Sequence, residues 1–90
     1  MADICIHAFV SGAVQGVWYR RSTQRQAQSK GVTGWAKNLT DGRVEVMLCG
    51  EESAVKEVAQ WLHQGPPNAS VSQVSLETVE WQSFQKFQIS

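Results

Sequence analysis

Three consecutive stretches, VTGWAKN (residues 32–38), LTDG (39–42) and RVEVMLCG (43–50), decide how this 90-residue chain folds. The third alternates as a half-buried strand does: Val44, Val46 and Leu48 share one face, and Glu45, Met47 and Cys49 the other. Between the two strand-like runs, Asp41-Gly42 is a strong hairpin signal, because both residue types tolerate positive φ. The two runs therefore pair antiparallel.

Upstream, Tyr19 to Lys30 (YRRSTQRQAQSK) has a helix-favouring composition and Gly31 supplies a stop, but the apolar stripe is thin. Only Tyr19, Thr23 and Ala27 recur at four-residue spacing, and Lys30 stands where another apolar residue would help, so this helix depends on its neighbours more than on propensity. Before it, Ile4 to Val10 reads as a strand with Ile4, Ile6, Ala8 and Val10 facing inward and Cys5, His7 and Phe9 outward. Downstream, EESAVKEVAQWLHQ (51–64) is amphipathic, with Val55, Val58, Ala59 and Leu62 on one stripe, acids in the first turn and Gly65-Pro66-Pro67 as a stop. SVSQVSLETVEW (70–81) and FQKFQIS (84–90) read as strands around the connection Gln82-Ser83.

The order β-α-β-β-α-β with a further strand is the split βαβ arrangement: an α+β, ferredoxin-like sandwich in which two helices cover one face of an antiparallel sheet of four to five strands. A helix of about eleven residues rises ~16 Å and a five-residue strand ~17 Å, so the first helix spans the sheet it must cross. A right-handed crossover makes the first two strands parallel and seats the third, antiparallel, between them. The loop after the first strand and the end of the second strand then lie at the same edge of the sheet.

The chain is expected to form a single domain over residues 1–90, since its size allows one hydrophobic core. Eight Lys plus Arg balance eight Asp plus Glu, which argues against nonspecific binding to nucleic acid or an anionic membrane. The start, MADICIHAFVSG, carries an acid where a signal peptide needs basic residues, and its apolar run is short and interrupted by His7, so a cytoplasmic address is the default. Cys5 and Cys49 lack the close pairing and added His ligands of a metal site, so no metal is expected.

At the shared edge, the bend Gln15-Gly16-Val17-Trp18-Tyr19-Arg20 delivers several backbone N–H groups at the start of a helix, where unsatisfied donors and the helix dipole favour an anion. Gly16 permits close approach, and Arg20 adds a planar, permanently charged fork, making a phosphate-sized nest. Across from it, Asn38 ends the second strand with a carbonyl acceptor and an NH₂ donor able to orient a water. The structural alternative is a plain Gly-containing turn, a solvated arginine and an asparagine engaged in turn chemistry.

GAVQGVWYR (12–20) resembles the acylphosphatase signature Gly-x-Val-Gln-Gly-Val-x-aromatic-Arg, and GWAKNLTDGRVEV (34–46) resembles that family's second motif, Gly-Trp-x-x-Asn-x-x-Asp-Gly-x-Val-Glu. Both occur in the right order and spacing, over essentially the whole chain. The resemblance implies the small α/β sandwich just described and the hydrolysis of carboxyl phosphates to carboxylate and inorganic phosphate without metal or cofactor. It implies further that Arg20 and the loop amides bind the phosphoryl group and that Asn38 positions the attacking water. The expected partners are a small-molecule acyl phosphate and inorganic phosphate as product and inhibitor, with the chain a monomer that engages neither nucleic acid nor membrane. Two departures, Lys30 for a large apolar residue and the ending FQIS where an aromatic or basic residue is frequent, bear on stability more than on catalysis.

Pairing of the first and third strands brings Cys5 and Cys49 to like-facing positions on the sheet face opposite the aliphatic set, where both are expected to be exposed. Cross-strand geometry permits a disulfide there, and a reducing cytoplasm opposes one; both readings stand. His7 is expected on the open side of the sheet and His63 on the polar side of the second helix, neither acting as a general base. Trp35, Trp61 and Trp81 read as packing residues, and Trp18 as a residue bordering the substrate. Asp41, Glu45 and Glu80 have nothing to bring them together. Two other classes share the strand order. An RNA-binding module would need the basic-Gly-aromatic-Gly-aromatic third strand that GRVEVMLCG lacks, and a regulatory ligand-binding domain would need an effector motif, of which there is none.

Overall fold

The computed structural model describes residues 2–90. Its elements are β1 (Asp3–Ala13), α1 (Tyr19–Ser29), β2 (Thr33–Asn38), β3 (Val44–Glu51), α2 (Glu52–Leu62), β4 (Ser70–Val79) and β5 (Phe87–Ile89). One five-stranded sheet in the order β4-β1-β3-β2-β5 runs through the molecule. As the crossover rule requires, β3 lies antiparallel between β1 and β2. The sheet is antiparallel except at one edge, where β5 runs parallel to β2 with Ala36 opposite Ile89. No helix among the described residues is long and apolar enough to cross a membrane.

The core forms where the alternation predicted it. Ile6, Ala8, Val10, Val44, Val46 and Leu48 from the sheet meet Val55, Val58, Ala59 and Leu62 from α2. From α1 the buried residues are Tyr19, Thr23 and Ala27, the thin stripe read from its sequence. Polar groups at this weak helix are also paired. Lys30 reaches across to Glu57 of α2 at 2.9 Å, and Thr23 turns its hydroxyl onto the Tyr19 carbonyl at 2.8 Å, so that no polar atom is stranded in the core. The β2–β3 approach is also close: a Cβ at Gly34, whose φ is +137°, would lie 1.9 Å from the Met47 carbonyl oxygen.

Tyr19 is the pin between the two helices. Its phenol donates to the Leu62 carbonyl at 2.7 Å, satisfying an acceptor that the end of α2 leaves without a helical partner, and its ring packs on Trp61. Burial pushes the phenol pKa well above its ordinary value. Above about pH 10 the unfolded chain therefore releases a proton that the native state retains, and stability falls by ~1.4 kcal/mol per pH unit until the native phenol titrates as well. Tyr19 is the only tyrosine, so Tyr19→Phe removes this contribution while costing ~1 kcal/mol at neutral pH. Denaturant unfolding of both proteins between pH 8 and 11 measures the difference; parallel pH profiles would refute it.

The sheet face away from the helices departs from expectation. β4 and β5 occupy opposite edges, about 19 Å apart across four strand spacings, so residues 80–86 must cross this face nearly straight. The crossing segment covers Cys5 and Cys49, which are fully buried rather than exposed. The two cysteines stand directly opposite in the β1–β3 register with Cα atoms 4.1 Å apart and are joined in a disulfide. Met47, Trp35, Val79 and Phe84 pack around them, and the Gln82 N–H donates to the Cys5 sulfur at 3.2 Å. The same crossing replaces the early part of the last expected strand, since β5 begins only at Phe87, and it leaves Trp81 50% exposed instead of packed. His7 lies on this face, hydrogen-bonded to Glu45 at 2.6 Å and edge-on to Phe9 and Trp35. His63 is exposed at the end of α2.

Candidate active site

Between β1 and α1 the chain bends sharply, and the bend rests on two left-handed residues. Gly16 has φ +75° with open space where a Cβ would stand, so conformation rather than crowding calls for glycine there. Trp18 adopts φ 66° and ψ 19° as the residue preceding α1, a rare state for a bulky side chain that costs roughly 1–2 kcal/mol. The N–H groups of Gly16, Val17 and Trp18 donate no well-formed backbone hydrogen bond. With the first turn of α1 directly behind them, these donors cluster at a helix N-terminus, and the first turn contains no acid.

A cavity of about 240 Å³ opens at this bend, lined by Val14, Gly16, Trp18, Tyr19, Arg20, Arg21 and Ile89. Arg20 projects from the first turn of α1, and its Nη1 donates to a main-chain oxygen of Ser90. That contact uses one of five guanidinium donors and aims the rest. No acidic side chain pairs with Arg20 or Arg21 among the described residues, so apart from the Ser90 main-chain oxygen nothing opposes the positive charge at the cavity. Trp18 is 70% exposed and forms an apolar rim. Val17 packs partly on the core, and Tyr19 is buried.

Asn38 does not line the cavity. It ends β2 on the same face as Ala36, about 7 Å further along the strand. A short relay links the two sides: Arg20 donates to Ser90, and the Ser90 N–H donates to the Ala36 carbonyl at 3.1 Å. The loop after β1, which leads to Arg20, and the tip of β2 thus lie at the same end of the sheet, as the topology predicted. The Asn38 side chain is exposed and makes no hydrogen bond to any described residue. The following turn is held by Asp41, whose carboxylate accepts from the Arg43 N–H at 3.1 Å and Nε at 2.8 Å. These bonds, the backbone one foremost, hold the Asp41 carboxyl below its ordinary pKa.

Gln15 begins the bend, and the direction of its side chain is set by the fold. Its side chain turns away from the cavity and donates to the Leu39 and Arg43 carbonyl oxygens at 2.7 and 2.9 Å. Three cavity residues were not anticipated. Arg21 was legible as the second half of an Arg-Arg pair in a helix first turn, but Val14 and Ile89 carry no local signal, and Ile89 arrives only through the β2–β5 pairing. Glu45 pairs with His7 and Lys37 while Asp41 pairs with Arg43, so the scattered carboxylates form no acid–base pair with each other.

A family model described as Acylphosphatase matches residues 6–89. A curated acylphosphatase of Chromohalobacter salexigens is 56% identical over 80 residues, covering 89% of each chain. Among solved structures, an acylphosphatase from Coxiella burnetii superposes with a TM-score of 0.94 at 41% identity, over 98% of this chain and 93% of that one. The acylphosphatase from Bacillus subtilis gives 0.93 at 31% identity, over 97% and 98%.

Proposed function

We propose a division of labour for this chain, which belongs to the acylphosphatase family and hydrolyses acyl phosphates: Arg20 and the loop amides hold the phosphoryl group, and Asn38 orients the attacking water. The observation that carries it is the cluster of three N–H groups without a well-formed backbone partner, beside a guanidinium that pairs with no acidic side chain, at the end of the sheet that also carries an exposed amide with no hydrogen bond to a described residue.

An acyl phosphate is a mixed anhydride whose carboxylate leaves readily, so little covalent chemistry is asked of the protein. The water adds to phosphorus as the bond to the acyl oxygen breaks, and the products are carboxylate and inorganic phosphate. Negative charge on the non-bridging oxygens is met by donors already in place. The side-chain amide of Asn38 accepts a hydrogen bond from the water and thereby limits its approach to the line opposite the leaving group. This scheme asks for no metal, no cofactor and no nucleophilic side chain. Trp18 at the rim offers an apolar surface to the acyl portion.

The RNA-module alternative is disfavoured by the sheet face it would use. Residues 80–86 cross that face, and Phe84 and Trp35 pack there on the Cys5–Met47–Cys49 cluster, so the surface on which bases would stack is covered in part by the chain itself. Hydrolysis of a simple aryl acyl phosphate in excess chelator, with inorganic phosphate as competitor, tests the proposal. Undiminished turnover with competitive inhibition by phosphate is expected; turnover that collapses on chelation would exclude the metal-free scheme.

A further inference from the structure

We propose that Gln15 is a positioning residue for hydrolysis, acting on the water-orienting side of the site and not on the phosphate. The proposal rests on the reading of Asn38 given above. Gln15 belongs by sequence to the anion-binding bend, yet its side chain leaves the cavity and bridges to the β2–β3 turn, where both hydrogens of its amide are engaged by carbonyl oxygens. Because both partners are acceptors, the NH₂ end must be the one that faces them. The two carbonyls are the ones that close the turn on itself: the Leu39 N–H donates to Arg43 O at 2.8 Å, and the Gly42 N–H donates to Leu39 O at 3.2 Å. Each oxygen thus accepts one bond from within the turn and one from Gln15.

The consequence for the reaction is geometric. Asn38 is bonded directly to Leu39, so the clamped carbonyl lies one residue from the water-orienting amide. Gly16, the first of the three loop donors, is bonded directly to Gln15. One side chain therefore ties the backbone that receives the phosphoryl group directly to the backbone that carries Asn38. Without it the turn is still closed by its own bonds, but its distance from the anion-binding bend is no longer held by this bridge. A displacement of about 1 Å in such a pair costs on the order of 10²-fold in rate.

The test is Gln15→Met, which keeps the length and removes both donors, with Gln15→Asn, one methylene too short to span both carbonyls, as a second variant. Either is expected to lower kcat by about 10- to 100-fold while KM and the phosphate inhibition constant change by less than about three-fold. In an Asn38→Ala background the same substitution is expected to change kcat by less than about two-fold, because the residue it positions is gone. Amide exchange at Leu39 and Gly42 should accelerate in the variants while that at the start of α1 does not. Equal losses in both backgrounds, a weakened phosphate affinity, or unchanged exchange in the turn would each overturn the proposal. If Asn38→Ala itself turns over normally, the reading of Asn38 fails; if Asn38→Ala is impaired and Gln15→Met is not, only the role of Gln15 fails.

Discussion

Arg20→Gln is expected to lower kcat by about 10²- to 10³-fold and to abolish competitive inhibition by inorganic phosphate. Glutamine retains a hydrogen-bond donor but loses the charge and the planar fork, and loss of one preorganised donor from a charge-stabilising site typically raises the barrier by ~3–4 kcal/mol. The effect reaches both binding and turnover, since the guanidinium faces charge that is present on bound phosphate and redistributed in the transition state. Arg21 lines the same cavity but sits at a different angle on α1, so it does not substitute. Because Arg20 is anchored outside the core, through a main-chain oxygen of Ser90 at an exposed contact, the variant should fold with little change in its unfolding midpoint. Steady-state kinetics on an aryl acyl phosphate, with phosphate titrated as inhibitor, gives the answer; activity within a few-fold of the parent removes the assigned role.

Asn38→Ala should separate what Arg20→Gln combines. Turnover is expected to fall at least ~10²-fold while the phosphate inhibition constant stays within about three-fold, because the substituted group orients the water and does not touch the anion. The structure makes this variant clean: the Asn38 side chain is exposed, has no hydrogen bond to the described residues, and stands at the last position of β2, so little but the water contact is lost. The same kinetic series that tests Arg20 tests this split. Parallel loss of turnover and phosphate affinity would mean that Asn38 grips the phosphoryl group instead.

The two variants also bear on why a site with so few groups suffices. With an easily departing carboxylate, most of the needed barrier reduction comes from holding oxygens and water in place. The strain of Trp18 in the left-handed region, roughly 1–2 kcal/mol, is consistent with a bend shaped for its donors and not for its own comfort.

Everything carried by near-neighbour chemistry could be read from the order of residues. The Asp-Gly turn, the Val44-Val46-Leu48 alternation and the stripes on α1 and α2 each depend on periodicities of two or about four residues, and each face they named is the face found buried. With the handedness of the crossover, that was enough to bring the loop bearing Arg20 and the strand tip bearing Asn38 to one edge. The Cys5–Cys49 register followed from the same pairing, but its burial did not. That depends on residues 80–86 having to travel from one edge of the sheet to the other, a demand set by where β4 and β5 lie and by no local pattern. Likewise the motif showed a glutamine in an anion-binding bend, and only the folded chain shows its amide turned to the opposite hairpin. Side-chain periodicity records which way a residue faces; which distant backbone it then meets depends on strand register and on the path of the connections, and those are settled only when the whole sheet has closed.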